Sequence, residues 1–296
     1  MKSTSNHEPN PNQPIAPGLY LVATPIGNLE DITPRALRIL RSVDRIACED
    51  TRQTQKLLNH FGITTPTISY HMHNEGSRSE ELTEALQQGA RIAVVSDAGT
   101  PGIADPGGQI AAAAIAASIP VFPIPGANAA ISGLIASGLP TERFTFHGFL
   151  PSKAGQRKTF LEEIPRTGEA THIFYETPHR ILEALADVEA VFGPTQPVVI
   201  ARELTKLHEE FLRGPASQLR TELAARPSIR GEIVLMLAPT EQASTAKRTS
   251  IAEEVATLMK SENLAEKDAL KRVARDRGIG KSEAYRELQR EQNRRR

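Results

Sequence analysis

Residues 90–108 read ARIAVVSDAGTPGIADPGG. Ile92 to Val95 is a short β-branched apolar run, the mark of a buried strand. It breaks at once into turn residues (Gly99, Pro101, Gly102, Pro106, Gly107 and Gly108), and a small-residue run from Ile110 to Ala117 then suits a helix packed close on a sheet. Strand, Gly/Pro loop, helix is the unit from which an open α/β sheet builds a ligand crevice at its carboxyl edge. Glycine removes the Cβ that holds a ligand off the backbone. The loop has no Lys and neither GxGxxG nor GxxxxGK[ST], so no phosphate-cradling pattern applies. Its only charges, Asp97 and Asp105, suit a ligand with cationic groups better than a polyphosphate. As structure alone, the stretch is a plain strand-to-helix connection.

The flanking sequence repeats the pattern. Leu19 to Ala23, Arg45 to Cys48, Ile68 to Tyr70 and Val121 to Ile124 read as further strands. Thr33 caps a helix opened by Pro34, with Leu37, Leu40 and Val43 inward at helical spacing. Gln53 to Phe61 and Ser77 to Gln88 are the next helices. This alternation predicts a parallel, helix-covered sheet with its site at the strand ends. Past Pro125 a second α/β unit is expected. Its helices are Ala127 to Ala136, Arg180 to Val191 and Pro215 to Ala225, and its strands Phe144 to Phe149, Thr171 to Tyr175, Val198 to Ala201 and Ile233 to Leu237. A polar linker, Pro239 to Thr249, leads to three short helices, Ile251 to Met259, Glu266 to Arg275 and Lys281 to Arg290. The last two flank Gly278-Ile-Gly280, as in a helix-turn-helix-like module. The expected organisation is a disordered tail (1–17), α/β domains at 18–125 and 126–239, and a basic helical module at 250–296.

Composition excludes several classes. With 39% hydrophobic and 24% charged residues in 296, the chain reads as soluble and globular. No apolar run approaches the ~20 residues of a membrane span, and the amino terminus lacks a signal-peptide core. The single cysteine, Cys48, rules out a disulfide framework, and a cytoplasmic location is expected. The net charge of zero conceals a split. Residues 241–296 hold 14 Lys+Arg against 10 Asp+Glu, leaving 21 against 25 in the body.

Eight stretches in order, LYLVATPIGNLEDIT, CEDTRQT, SDAGTPGIADPG, IPGANAA, HGFLP, FYETPHRI, ARELTKLHEE and GEIVLML, resemble the tetrapyrrole (corrin/porphyrin) methylase superfamily. They look most like its branch of ribosomal RNA small-subunit methyltransferases. The resemblance implies two α/β domains with S-adenosylmethionine in the cleft between them. It also implies 2′-O-ribose methylation of a decoding-region cytidine (cytidine 1402) of 16S ribosomal RNA, within the small subunit, by a homodimer. Donor contacts would fall on Pro25, on Ala98, Gly99, Thr100, Pro101, Gly102 and Ile103, on Ala127, Asn128 and Ala129, and on Leu150, Ala201 and Glu232. The superfamily's GDP-type tripeptide lies on Gly99-Thr100-Pro101, with Thr100 where relatives carry Asp.

A ribose hydroxyl is a poor nucleophile, so a general base within hydrogen-bond reach is expected. Glu49, Asp50 and Asp97 are the candidates, with Arg52 as a phosphate clamp. The alternative for Asp50 is a helix N-cap. RNA contacts are expected from Arg52, His71, His73, Arg180 and Lys206, and from Lys271, Arg272, Arg275 and Lys281 in the basic module. His71 and His73 lack a third ligand nearby, so no metal is expected. Two readings stay beside the RNA methyltransferase: a small-molecule tetrapyrrole methylase, and a non-enzymatic RNA-binding or assembly protein.

Overall fold

The computed structural model describes residues 14–72, 74–164, 168–239, 251–262, 264–276, 284–285 and 288–289. Most of the expected tail, His73, Lys281 and the Gly278-Ile-Gly280 turn lie outside them.

Five strands, β1 (Gly18–Val22), β2 (Arg45–Cys48), β3 (Thr67–Ser69), β4 (Arg91–Val95) and β5 (Val121–Ile124), form one sheet in the order β3-β2-β4-β1-β5. Every pairing is parallel, as the strand–helix alternation predicts. Helices α1 (Pro34–Ser42), α2 (Thr51–His60), α3 (Glu75–Gln87) and α4 (Gly108–Ala116) connect the strands. Local sequence fixes α1: Thr33 Oγ1 accepts from Ala36 N at 3.1 Å and Pro34 takes the first position. Its inward face buries Ile39 and Leu40, each worth roughly 2 kcal/mol of apolar transfer. The sheet carries an apolar cluster on each side, one around Ile46 and Leu58 and the other around Tyr70 and Leu82. Cys48 closes β2 fully buried, and burial pushes its thiol pKa up.

The second sheet takes the order β6-β7-β10-β8-β9 and is mixed. β6 (Phe144–Phe149) and β7 (Thr171–Glu176) pair in parallel; β8 (Pro197–Arg202), β9 (Glu210–Pro215) and β10 (Ile233–Leu237) join antiparallel. Helices α6 (Ala154–Glu163), α7 (Ile181–Phe192) and α8 (Ala216–Ala224) contribute to the core on one side. Helix α5 (Ala129–Ser137) covers the other, close enough that a Cβ on Gly133 would stand 3.4 Å from Val234 Cγ1. Ile26, from the loop after β1, enters the same cluster and joins the two halves. Sequence reading missed β9 and α6.

The chain divides into two compact units, Met1–Thr240 and Glu241–Arg296. In the second, α9 (Ile251–Glu262) and α10 (Glu266–Asp276) pack over Ile251, Val255, Ala269 and Val273. Lys271 and Arg272 are exposed on α10, and Arg272 pairs with Glu262. No helix among the described residues is long and apolar enough to cross a membrane.

Two histidines set an acid limit on stability. His147 Nε2 lies 2.9 Å from His172 Nδ1, and the His147 ring stacks on Phe174. Burial, then the neighbouring His172, brings the His147 pKa down to about 4, while burial also lowers His172. An unfolded histidine titrates near 6.5, so between pH 6.5 and 4 the unfolded chain binds more protons. Stability contributed by the neutral pair is present above pH 6.5 and drains away as pH falls toward 4. Urea unfolding at pH 7 and 4.5 should show wild type losing about 1–2 kcal/mol more than His147→Gln, after discounting for partial exposure. Equal losses would leave the pair without this role.

Candidate active site

The strand order puts β4 beside β1, and the loops leaving those two parallel strands meet at the sheet's carboxyl edge. Thr24 and Gly99 exchange backbone hydrogen bonds at 2.8 and 3.1 Å, tying the β4 loop to the β1 loop. Gly99 holds φ +88°, which favours glycine. Thr100 Oγ1 donates to Ala127 O at 3.1 Å and accepts from Asn128 Nδ2 at 3.2 Å. Asn128 in turn caps α5 through Ile131 N. The threonine thus bridges the loop after β4 to the loop after β5. The far end of the β4 loop is held by a group that sequence reading missed. Buried Glu75 accepts from Tyr70 Oη at 2.9 Å and from Gly107 N at 3.1 Å.

These loops roof a cavity of about 420 Å³ whose other wall comes from the second sheet. Glu49, Asp97, Ala98, Gly99, Thr100, Ile103 and Asp105 line one side; Ala129, Tyr175, Glu176, Ala201, Glu232 and Val234 line the other. Five carboxylates reach the lining, and none of its residues is Lys, Arg or His. Crowding shows in their titration. Burial, then Glu49 and Asp97, raises Asp105 to about 6 against an opposing Ser96 hydrogen bond. Burial first, then Asp97, also pushes Glu49 up, while His71 pulls the other way. Glu176 rises through burial, opposed by the Thr177 N–H and the Arg180 guanidinium. Among the described residues no group of three or more His, Cys, Asp or Glu is placed to hold a metal.

A family model described as Tetrapyrrole (Corrin/Porphyrin) Methylases matches residues 18–220. The chain belongs to this family. Ribosomal RNA small subunit methyltransferase I of Halalkalibacterium halodurans is 48% identical over 272 residues, covering 90% of this chain and 93% of that protein. This tetrapyrrole methylase therefore stands in the branch that bears that name. Solved structures share the fold at low identity. Uroporphyrin-III-C-methyltransferase of Thermus thermophilus matches with TM-score 0.53 and 19% identity, over 75% of this chain and 94% of that one. The Thermus enzyme complexed with S-adenyl homocysteine matches with TM-score 0.50 and 17% identity, over 75% and 98%.

In this methylase the cavity gathers Glu49, Asp97, Ala98, Gly99, Thr100, Ile103, Ala129, Ala201 and Glu232 from the expected set. Pro101, Gly102, Ala127, Asn128 and Leu150 are not in its lining, and Pro25 lines an adjoining hollow. Asp50 takes its capping role: its carboxylate accepts from Arg52 N at 2.8 Å and pairs with the Arg52 guanidinium. That pairing holds its pKa at about 2. Its backbone N–H donates to Asp97 Oδ1 at 3.0 Å, so the same residue orients a carboxylate that does reach the cavity. Arg180 is committed inward, to Glu176 Oε1 at 3.0 Å and to the Leu150 and Pro151 carbonyls. It braces the cavity wall. Lys206 Nζ is held by Glu203 and Glu232 at 2.8 and 2.9 Å. Burial lowers its pKa, but those bonds outweigh burial and the net shift is upward. His71 follows β3, its N–H donating to Asn74 Oδ1. Sequence reading noted Asp105 only as a loop charge, and took Tyr175 and Glu176 as polar groups after a strand that either line the RNA side or start a helix.

Proposed function

We propose that this chain uses S-adenosylmethionine to methylate the ribose 2′-hydroxyl of cytidine 1402 in 16S ribosomal RNA, acting in the cytoplasm as a homodimer on the small subunit. The observation that carries the donor is the cavity itself, acidic on both walls beside the glycine-containing loop after β4. S-adenosylmethionine, when bound, supplies a methyl group on a positively charged sulfur. Its cationic groups match Glu49, Asp97, Asp105 and Glu232, and Ala129, Ala201 and Val234 offer an apolar face for an adenine. Ala98, Gly99, Thr100 and Ile103 form one wall of the cavity. Asp97 is the acceptor for the hydroxyl proton, because it lines both this cavity and the hollow beside it. Positioning supplies much of the rate. The RNA substrate rests on the relatives' name and on the basic carboxyl-terminal unit, whose Lys271 and Arg272 are exposed on α10, a handle for phosphates on an otherwise acidic body.

Two measurements test the reading. Mass-spectrometric mapping of ribose methylation in ribosomal RNA from cells lacking the protein should show one ribose methyl missing, at that cytidine. Unchanged methylation would sink the substrate assignment. Donor affinity should also depend on pH with a defined sign. Below about pH 6 Asp105 is protonated and the cavity loses a negative charge. Calorimetry should therefore show donor binding tightening several-fold as pH rises from 5 to 7, with Asp105→Asn flattening the rise. A flat wild-type profile would separate Asp105 from the donor's cationic groups.

A further inference from the structure

A second hollow of about 420 Å³ abuts the donor cavity and shares Ile26, Asp97, Ala98 and Glu232 with it. Its remaining lining comes from the β1 loop, from one face of α2 and from Lys206. The two spaces differ in charge. Apart from the shared wall, the second has no carboxylate, and it adds Lys56, His60 and Lys206. Lys206 is already spent: its ammonium joins Glu203 and Glu232, and a Cβ on Gly27 would come within 2.4 Å of Lys206 Cγ. Lys56 and His60 differ. They stand four apart on α2, both exposed, so their side chains share one helix face. Lys56 Nζ donates to the neutral Gln53 Oε1 at 2.9 Å and forms no ion pair among the described residues. Pro25 and Leu57 give the same hollow an apolar floor.

Resting on the functional reading above, we propose that this hollow seats the target nucleotide of the RNA, with Lys56 and His60 holding its phosphate. An apolar floor for base and sugar under a lysine and a histidine matches a nucleotide lifted out of its stack. The volume lies in the range of small-ligand sites. The shared Asp97–Ala98 wall puts the sugar next to the donor cavity and to the proton acceptor. A lysine contacts phosphate as a compact point charge, so its removal weakens binding more than chemistry.

Lys56→Gln, His60→Gln and the double variant, each checked for an unchanged melting temperature, should be assayed with small subunits isolated from cells lacking the protein. The double variant should raise the KM for subunits tenfold or more while kcat stays within about twofold. Its plot of log affinity against log salt should lose about one unit of slope, for the Lys56 charge removed. Lys56→Arg should restore most of the affinity, and calorimetry should find donor binding unchanged. Unaltered KM and salt slope would overturn the nucleotide seat, as would weakened donor binding, which would assign the hollow to the donor. If wild type puts no methyl into these subunits, the functional reading fails instead.

Discussion

Gly99→Val should abolish donor binding, by a hundredfold or more in affinity, while the chain stays folded. Gly99 sits at φ +88°, and its N–H and C=O are both paired to Thr24. A Cβ there would stand 3.2 Å from Ile26 Cγ2 and 3.7 Å from Ala127 O. Valine adds two branches to that Cβ in a backbone region costing a β-branched residue on the order of 1–2 kcal/mol. The strain falls on a loop, and the apolar clusters flanking the first sheet do not include Gly99. The loss should therefore appear in the shape of the cavity wall. Calorimetry with S-adenosylmethionine reads it, with circular dichroism as the folding control. Gly99→Ala, adding one carbon, should fall between. Wild-type affinity in a folded valine variant would move the donor elsewhere.

Asp187→Leu should be severely destabilising, by about 3–5 kcal/mol. Arg157 points inward from α6 with its side chain 1% exposed, and its Nε donates to Asp187 Oδ2 at 2.6 Å. The other carboxylate in reach, Glu183, is largely exposed and 3.3 Å away. Without Asp187 the buried guanidinium keeps, among the described residues, only two long contacts, to Glu183 at 3.3 Å and to the Ser152 carbonyl at 3.4 Å. Replacing both partners, Arg157→Met with Asp187→Leu, should recover most of the loss, because an apolar pair of similar volume carries no desolvation cost. Urea midpoints of the three variants decide it. A single-variant loss below about 1 kcal/mol would mean that water or Glu183 satisfies the arginine.

That pair also explains why α6 was illegible in the sequence. Residues 154–163, AGQRKTFLEE, bury only Arg157 and Leu161, so the inward stripe reads as one leucine and a charge. β9 is an edge strand carrying Arg213 and ending Gly-Pro, with neither alternation nor a continuous apolar run to mark it. Where local rules suffice the reading succeeds: Thr33-Pro34 opens α1, and β2, β5 and β6 fall on the residues expected. The β4 loop was legible as a site because glycine and proline signal turns without tertiary help. Asp105 was not, since its basicity comes from burial and from Glu49, brought beside it by the fold. Lys56 and His60 were not singled out in the sequence, because the residues that close a hollow against them, Thr24 to Gly27 and Leu29, come from the loop after β1. Asp50 fits both cap and catalyst in the sequence, and the structure places its carboxylate on the start of α2 and on Arg52.

Burial of Cys48 makes the protein its own reporter. The chain has one thiol, at the inner end of β2 between β3 and β4, at 0% exposure and with a raised pKa. A thiol reagent meets a reactive thiolate there only when the first sheet opens. The labelling rate in native buffer thus measures how often that half of the molecule breathes, without an added probe. Donor binding, which fastens loops at the ends of β1 and β4, should slow labelling in proportion to its occupancy.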